Sequence, residues 1–117
     1  MSLYYRKVLA AADFVRARIE IEPEIGLVLG SGWDMLLDQI ENAVRVPYGE
    51  VPGMSASTVP GHAGEWVFGA LCGRRVAVMS GRLHYYEGHT LQDVTLPIRV
   101  MQLLGVKTLI LTNAAGA

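Results

Sequence analysis

Short runs of almost unbroken apolar residues, each delivered into a glycine-rich or small-residue segment, constrain this chain more than any other feature. Ile25-Gly-Leu-Val-Leu29 runs into Gly30-Ser31-Gly32, and the β-branched, leucine-rich stretch from Lys107 to Thr112 runs into Asn113-Ala114-Ala115-Gly116. A strand that is apolar on both sides must be buried on both sides, as in a sheet covered on its two faces by other elements. Other segments supply candidates for the covers and the remaining strands. Tyr4, Val8, Ala11, Ala12, Val15 and Ile19 recur at helical spacing opposite Arg6, Lys7, Asp13 and Arg16, and Pro23 closes that helix. A short helix is expected from Asp34 to Ile40 and a weaker strand from Ala43 to Tyr48. Trp66 to Leu71 and Arg74 to Ser80 flank Cys72-Gly73 and read as a β-hairpin. Val94, Ile98, Met101 and Leu104 mark a second helix, capped by Thr90 with Asp93, bent at Pro97 and ended by Gly105. Between these elements, Val51 to Gly64 reads as an ordered loop or a bent strand and Gly81 to Thr90 as a loop.

The fold class that follows is α/β, a central mixed sheet flanked by helices. Two substantial helices are too few to cover both faces of a five-stranded sheet, so the expectation is an incomplete α/β domain spanning residues 1–117. The charge balance, ten basic against eleven acidic residues, provides no field to recruit nucleic acid or an anionic membrane. One cysteine, Cys72, cannot form an internal disulfide. No unbroken apolar run approaches the length of a membrane span, and the charges near the N-terminus are interleaved with apolar residues rather than placed ahead of them. A cytoplasmic protein is therefore expected. The three histidines lack carboxylate or cysteine neighbours at ligand spacing, so no metal site is expected.

Ligands of such sheets bind beyond the carboxyl ends of the strands, and three of those ends carry suggestive residues. Arg82, His84 and Tyr86 alternate, so an extended backbone would point all three to one side. Arginine offers a planar, permanently charged fork suited to phosphate, and histidine a second donor tuned by the anion. The same pattern also suits a solvated polar loop. Gly30-Ser31-Gly32 lets backbone N–H groups approach an anion and adds the Ser31 hydroxyl, though most such triplets are plain turns. Asn113 and the small residues after it suit either a strand-end cap or a ligand lying against backbone. His62 in Val59-Pro-Gly-His-Ala-Gly64 and His89 each read alone as surface histidines, Glu87 could orient Arg82 or His84 or simply be solvated, and Trp33, Trp66 and the tyrosines other than Tyr86 read as core or rim.

In order along the chain, Gly30-Ser-Gly32, Ser57-Thr-Val-Pro-Gly-His-Ala-Gly64, Gly81-Arg-Leu-His-Tyr-Tyr-Glu-Gly88 and Leu103-Leu-Gly-Val followed by Thr112-Asn-Ala-Ala-Gly116 resemble the trimeric purine nucleoside phosphorylases of the 6-oxopurine type. The resemblance runs from about Ile25 onward, and its histidine-glycine and arginine-histidine segments are highly specific. It implies phosphorolysis of purine nucleosides with inorganic phosphate as cosubstrate, no metal or organic cofactor, and a homotrimer. Position by position it implies phosphate binding by Ser31, His62, Arg82, Leu83, His84 and Ala114, with Arg82 and His84 the catalytic pair. Tyr86 would contact the ribose, Ala115 and Gly116 would lie near the base, and Glu87 and Asn113 would support them. Trp33-Asp34 departs from the Leu-Gly that continues the family's triplet, and the family's base-recognising residues correspond to nothing up to Ala117. Methylthioadenosine phosphorylases share much of this pattern, and a non-catalytic portion of such an enzyme is the reading from another class.

Overall fold

The computed structural model describes residues 2–29, 34–52, 64–80 and 91–112, without the side chains of residues 34 and 91–94. Helix α1, Leu3–Arg16, begins where the Ser2 hydroxyl accepts the Tyr5 N–H, and buries Val8, Ala11, Ala12 and Val15 along one stripe. It stops before Ile19: the Ala17 N–H still donates to Asp13, but the Arg18 N–H donates to Val15 at 2.8 Å, a tighter three-residue closure of the last turn. Ile19 still packs against the core from outside the helix. Strands β1 (Ile25–Val28), β2 (Glu41–Pro47), β3 (Glu65–Leu71), β4 (Arg74–Ser80) and β5 (Thr108–Leu111) form one sheet in the order β2-β3-β4-β1-β5. β1 is parallel to both β4 and β5, whereas β3 is antiparallel to β2 and β4, which makes the sheet mixed.

The expected hairpin is present, and Cys72 and Gly73 take φ of 52° and 78°, the left-handed pair that a tight β3–β4 turn requires. The short helix expected from Asp34 to Ile40 is a 3₁₀ helix, Asp34–Gln39, and β2 starts earlier than expected, at Glu41. Helix α2, Leu91–Leu104, contains Pro97 and buries Leu96, Pro97, Val100, Met101 and Leu104. Gly105 ends it with φ 118°; its N–H donates to the Gln102 carbonyl and the Val106 N–H donates to Met101, a Schellman closure. The proposed Thr90 cap lies outside the described residues.

Alternation along the strands sorts the apolar residues onto two faces. Val28, Val46, Trp66, Phe68, Ala77 and Met79 meet both α-helices, which are joined by a 2.9 Å hydrogen bond between the Tyr4 and Thr95 hydroxyls. Leu27, Leu29, Val67, Val76 and Val78 form the other cluster, against which Leu36 and Leu37 of the 3₁₀ helix pack. Among the described residues, then, both α-helices cover one face and only the 3₁₀ helix contributes to the other. Salt bridges from Arg74 and Arg75 to Glu24 gather at the amino end of β1, the end away from the candidate site.

Candidate functional site at the carboxyl edge of the sheet

Strand pairing brings four separate chain connections to one edge. Val28 lies opposite Met79 on one side and Leu111 on the other, so the carboxyl ends of β4, β1 and β5 stand side by side in register. Neighbouring strands lie about 4.8 Å apart, so these three ends span roughly 10 Å, about the reach of one small ligand. Antiparallel pairing adds the start of β3, where Glu65 faces Ser80, and the end of β2, where Pro47 faces Glu65.

Hydrogen bonds pin the exits. The Leu29 N–H donates to Met79 at 3.0 Å. The Thr112 N–H and hydroxyl both donate to the Val28 carbonyl, at 2.9 and 3.0 Å. Thr112 therefore fixes the last residue before Asn113 to the strand that leads toward Gly30. Across the sheet, the Tyr48 N–H donates to the Gly64 carbonyl at 3.0 Å and the Val51 N–H turns back to Tyr48, so the connection from β2 to β3 is drawn together at its base.

Each candidate side chain is carried by a connection that starts or ends on this edge. Ser31 follows β1, His62 precedes β3, Arg82, Leu83, His84, Tyr86 and Glu87 follow β4, and Asn113, Ala114, Ala115 and Gly116 follow β5. All of them lie outside the described residues, as does His89. What the strands supply is the junction: three parallel ends and one antiparallel start, adjacent in space though separated by up to about eighty positions in sequence. Parallel strand ends of this kind are where α/β sheets bind ligands.

The described residues just inside this edge include two that sequence reading treated as ordinary core. Trp66 and Tyr48 are buried, with ring centroids 5.0 Å apart and planes at 83°, an edge-to-face pair. Neither the Tyr48 hydroxyl nor the Trp66 Nε1 has a hydrogen-bond partner among the described residues. Burial pushes the Tyr48 hydroxyl pKa far above the usual tyrosine range, and the charge of Glu65 adds to the shift. Polar tips on core aromatics are a recognisable signal, but only the fold shows that these two meet. Grooves formed by the described residues lie elsewhere, one of about 320 Å³ between α1 and α2 and one of about 430 Å³ beside Ile19 and Leu103. No cluster of histidine, cysteine and carboxylate side chains able to hold a metal occurs among the described residues. No helix among them is long and apolar enough to cross a membrane.

An α/β sheet whose chain connections meet at one carboxyl edge has the place where such sheets bind ligands, and the chain belongs to the phosphorylase superfamily, whose sequence pattern matches residues 24–117. Purine nucleoside phosphorylase 1 of Geobacillus stearothermophilus is 53% identical over 106 residues, which cover 91% of this chain and 39% of that protein. Purine nucleoside phosphorylase of Schistosoma mansoni in complex with inosine superposes with a TM-score of 0.86 at 45% identity, covering 95% of this chain and 38% of that one. Isoform 2 from the same organism, in complex with cytosine and ribose-1-phosphate, gives 0.87 at 43% identity over 93% and 38%. The chain thus spans about two fifths of the length of the relatives it matches.

Proposed function

We propose that this chain is the phosphate-binding portion of a purine nucleoside phosphorylase, an enzyme that converts purine nucleoside and inorganic phosphate to free purine and ribose 1-phosphate. The observation that carries the reading is the in-register convergence of the β4, β1 and β5 ends beside the start of β3. Relatives at 43–53% identity that bear this name, one of them solved with inosine and another with ribose-1-phosphate, support it. In this proposal Ser31, His62, Arg82, Leu83, His84 and Ala114 hold phosphate and Tyr86 holds the ribose. Ala115 and Gly116 lie along the base, while Glu87 and Asn113 brace the donors. No metal or organic cofactor takes part.

The chemistry is displacement at the anomeric carbon of the sugar. The bond to the purine lengthens, positive charge grows on the ribose ring, and the phosphate held by Arg82 and His84 stabilises that charge before its oxygen bonds to the carbon. Such positioning of an anion under a developing cation is among the larger contributions an enzyme makes. Stabilising the departing purine falls to residues outside this chain's match, so the whole active site includes the remaining three fifths of the family's length. A cytoplasmic homotrimer acting in purine salvage completes the proposal.

The test is to replace the matched 106-residue stretch of the Geobacillus stearothermophilus relative with this chain and follow inosine cleavage. Phosphate-dependent release of base together with ribose 1-phosphate is expected. Release that proceeds equally without phosphate, or cleavage confined to methylthioadenosine, would refute the proposal. The short coverage favours a second reading, in which the chain by itself is non-catalytic; assaying it alone should give no turnover.

A further inference from the structure

One side chain at the carboxyl edge does more than its strand pairing requires. Other joins there run backbone to backbone, from Leu29 to Met79 and from Tyr48 to Gly64. Thr112 instead places two donors on one acceptor, its N–H at 2.9 Å and its hydroxyl at 3.0 Å from the Val28 carbonyl oxygen. The N–H alone already pairs that carbonyl, so the hydroxyl is not needed to satisfy it; the second lone pair receives the extra bond. What the second bond adds is orientation. A single hydrogen bond is a hinge about which Thr112 could swing. Two bonds from different atoms of one residue to one oxygen remove that swing, and they hold χ1 of a β-branched side chain that has few rotamers. The acceptor is itself held. The Val28 carbonyl and the Leu29 N–H belong to one planar peptide group, and that N–H donates to Met79 of β4 at 3.0 Å. The plane is thus tied once to β4 and twice to β5.

We infer that Thr112 is a positioning residue for phosphate, its hydroxyl fixing the exits of β1 and β5 relative to each other. The inference rests on the proposed function and on where this clamp stands. Leu29 lies two residues before Ser31 and Thr112 two residues before Ala114, the positions assigned to phosphate in those two segments. A small error of angle at the clamp becomes an error of distance between two donors that must meet on one anion. Misplacement by about 1 Å can cost on the order of a hundredfold in rate. The segment carrying Tyr86 follows β4, whose tie to β1 is the Leu29 bond and does not use the hydroxyl. Phosphate should therefore feel the loss of the hydroxyl more than nucleoside does. A threonine that merely closes a strand would produce no such asymmetry.

The experiment uses the chimera with the Geobacillus stearothermophilus relative. Thr112→Val keeps the branched shape and removes the hydroxyl, whereas Thr112→Ser keeps the hydroxyl. In Thr112→Val, KM for phosphate should rise roughly five- to twentyfold while KM for inosine changes by less than about twofold. Thr112→Ser should return the phosphate value to within about twofold of the parent. On a Ser31→Ala background the effect of Thr112→Val should shrink at least about threefold, because one of the two donors it aligns is already gone. Amide hydrogen exchange at Leu29 and Thr112 should quicken severalfold in Thr112→Val and keep the parent rate in the β3–β4 hairpin. Should Thr112→Val fail to fold by circular dichroism, Thr112→Ala takes its place. Equal losses on both substrates, no rescue by serine, or full additivity with Ser31→Ala would overturn the inference. Unchanged exchange at Leu29 and Thr112 would overturn it too, whether or not the chimera turns over substrate. A parent chimera without phosphate-dependent cleavage counts against the proposed function instead, and exchange then decides whether the hydroxyl clamps the two exits.

Discussion

Replacing Tyr48 by phenylalanine should make the protein more stable, contrary to the usual outcome for a fully buried residue. The Tyr48 side chain is 1% exposed and its hydroxyl has no partner among the described residues, so folding removes that group from water without compensation. Leaving a buried hydroxyl unpaired costs about 1–3 kcal/mol. Phenylalanine keeps the ring and its edge-to-face contact with Trp66, and loses only the packing of one atom, a cost of roughly 0.5–1 kcal/mol. The net expectation is a gain of about 0.5–2 kcal/mol, or roughly 2–8 °C in Tm. Thermal unfolding followed by circular dichroism reads this directly. Alkaline pH supplies a second readout with a defined sign. Burial raises the folded pKa of Tyr48, so the unfolded chain, with tyrosine pKa near 10, ionises first. The stability tied to the neutral hydroxyl is complete below about pH 10 and is lost as pH rises beyond it. The phenylalanine variant should therefore lose less stability than the parent between about pH 10 and 12. A variant destabilised by about 1 kcal/mol or more would show that the hydroxyl is hydrogen-bonded, and the reasoning would fail.

Gly69→Ala should destabilise, because an added Cβ would stand 2.5 Å from Ile40 Cγ2 and 2.6 Å from the Glu41 carbonyl oxygen. Backbone cannot yield cheaply, so a loss of about 1–3 kcal/mol in chemical unfolding is expected. Gly105→Ala places a side chain at φ 118° and against Glu22, and should cost about 1–3 kcal/mol by the same measurement. Tyr86→Phe, in the chimeric enzyme, should raise KM for the nucleoside by severalfold and leave phosphate saturation unchanged, checked by initial rates with each substrate varied in turn.

Local features were legible in the sequence where a single physical rule decides them. Cys72-Gly73 between two apolar runs specified the hairpin, and Gly105 after a periodic stripe specified the end of α2 through a left-handed residue. Periodicity misled at Ile19, since recurrence at helical spacing reports burial, and Ile19 is partly buried without being helical. The segment after residue 33 read as an ordinary helix, but six residues form a 3₁₀ helix. Strand order was not legible at all. That β1 sits between β4 and β5 depends on pairing across fifty to eighty positions, which no local pattern encodes. Site residues were named from the segments after the strands, and the topology explains why segments so far apart can serve one site. The placement of Arg82, His84 and the others lies outside the described residues.

The central claim is that the connections leaving β1, β4 and β5 hold phosphate, and saturation with phosphate in the chimera carrying Arg82→Ala tests it most directly. Losing one charge-assisted contact should lower kcat/KM for phosphate roughly ten- to a hundredfold, equivalent to about 1.5–3 kcal/mol. On the proposed role, in which the guanidinium both binds the nucleophile and sets it beneath the developing cation, KM for phosphate should rise and turnover should fall. An unchanged phosphate curve, with the loss confined to nucleoside binding, would contradict the account.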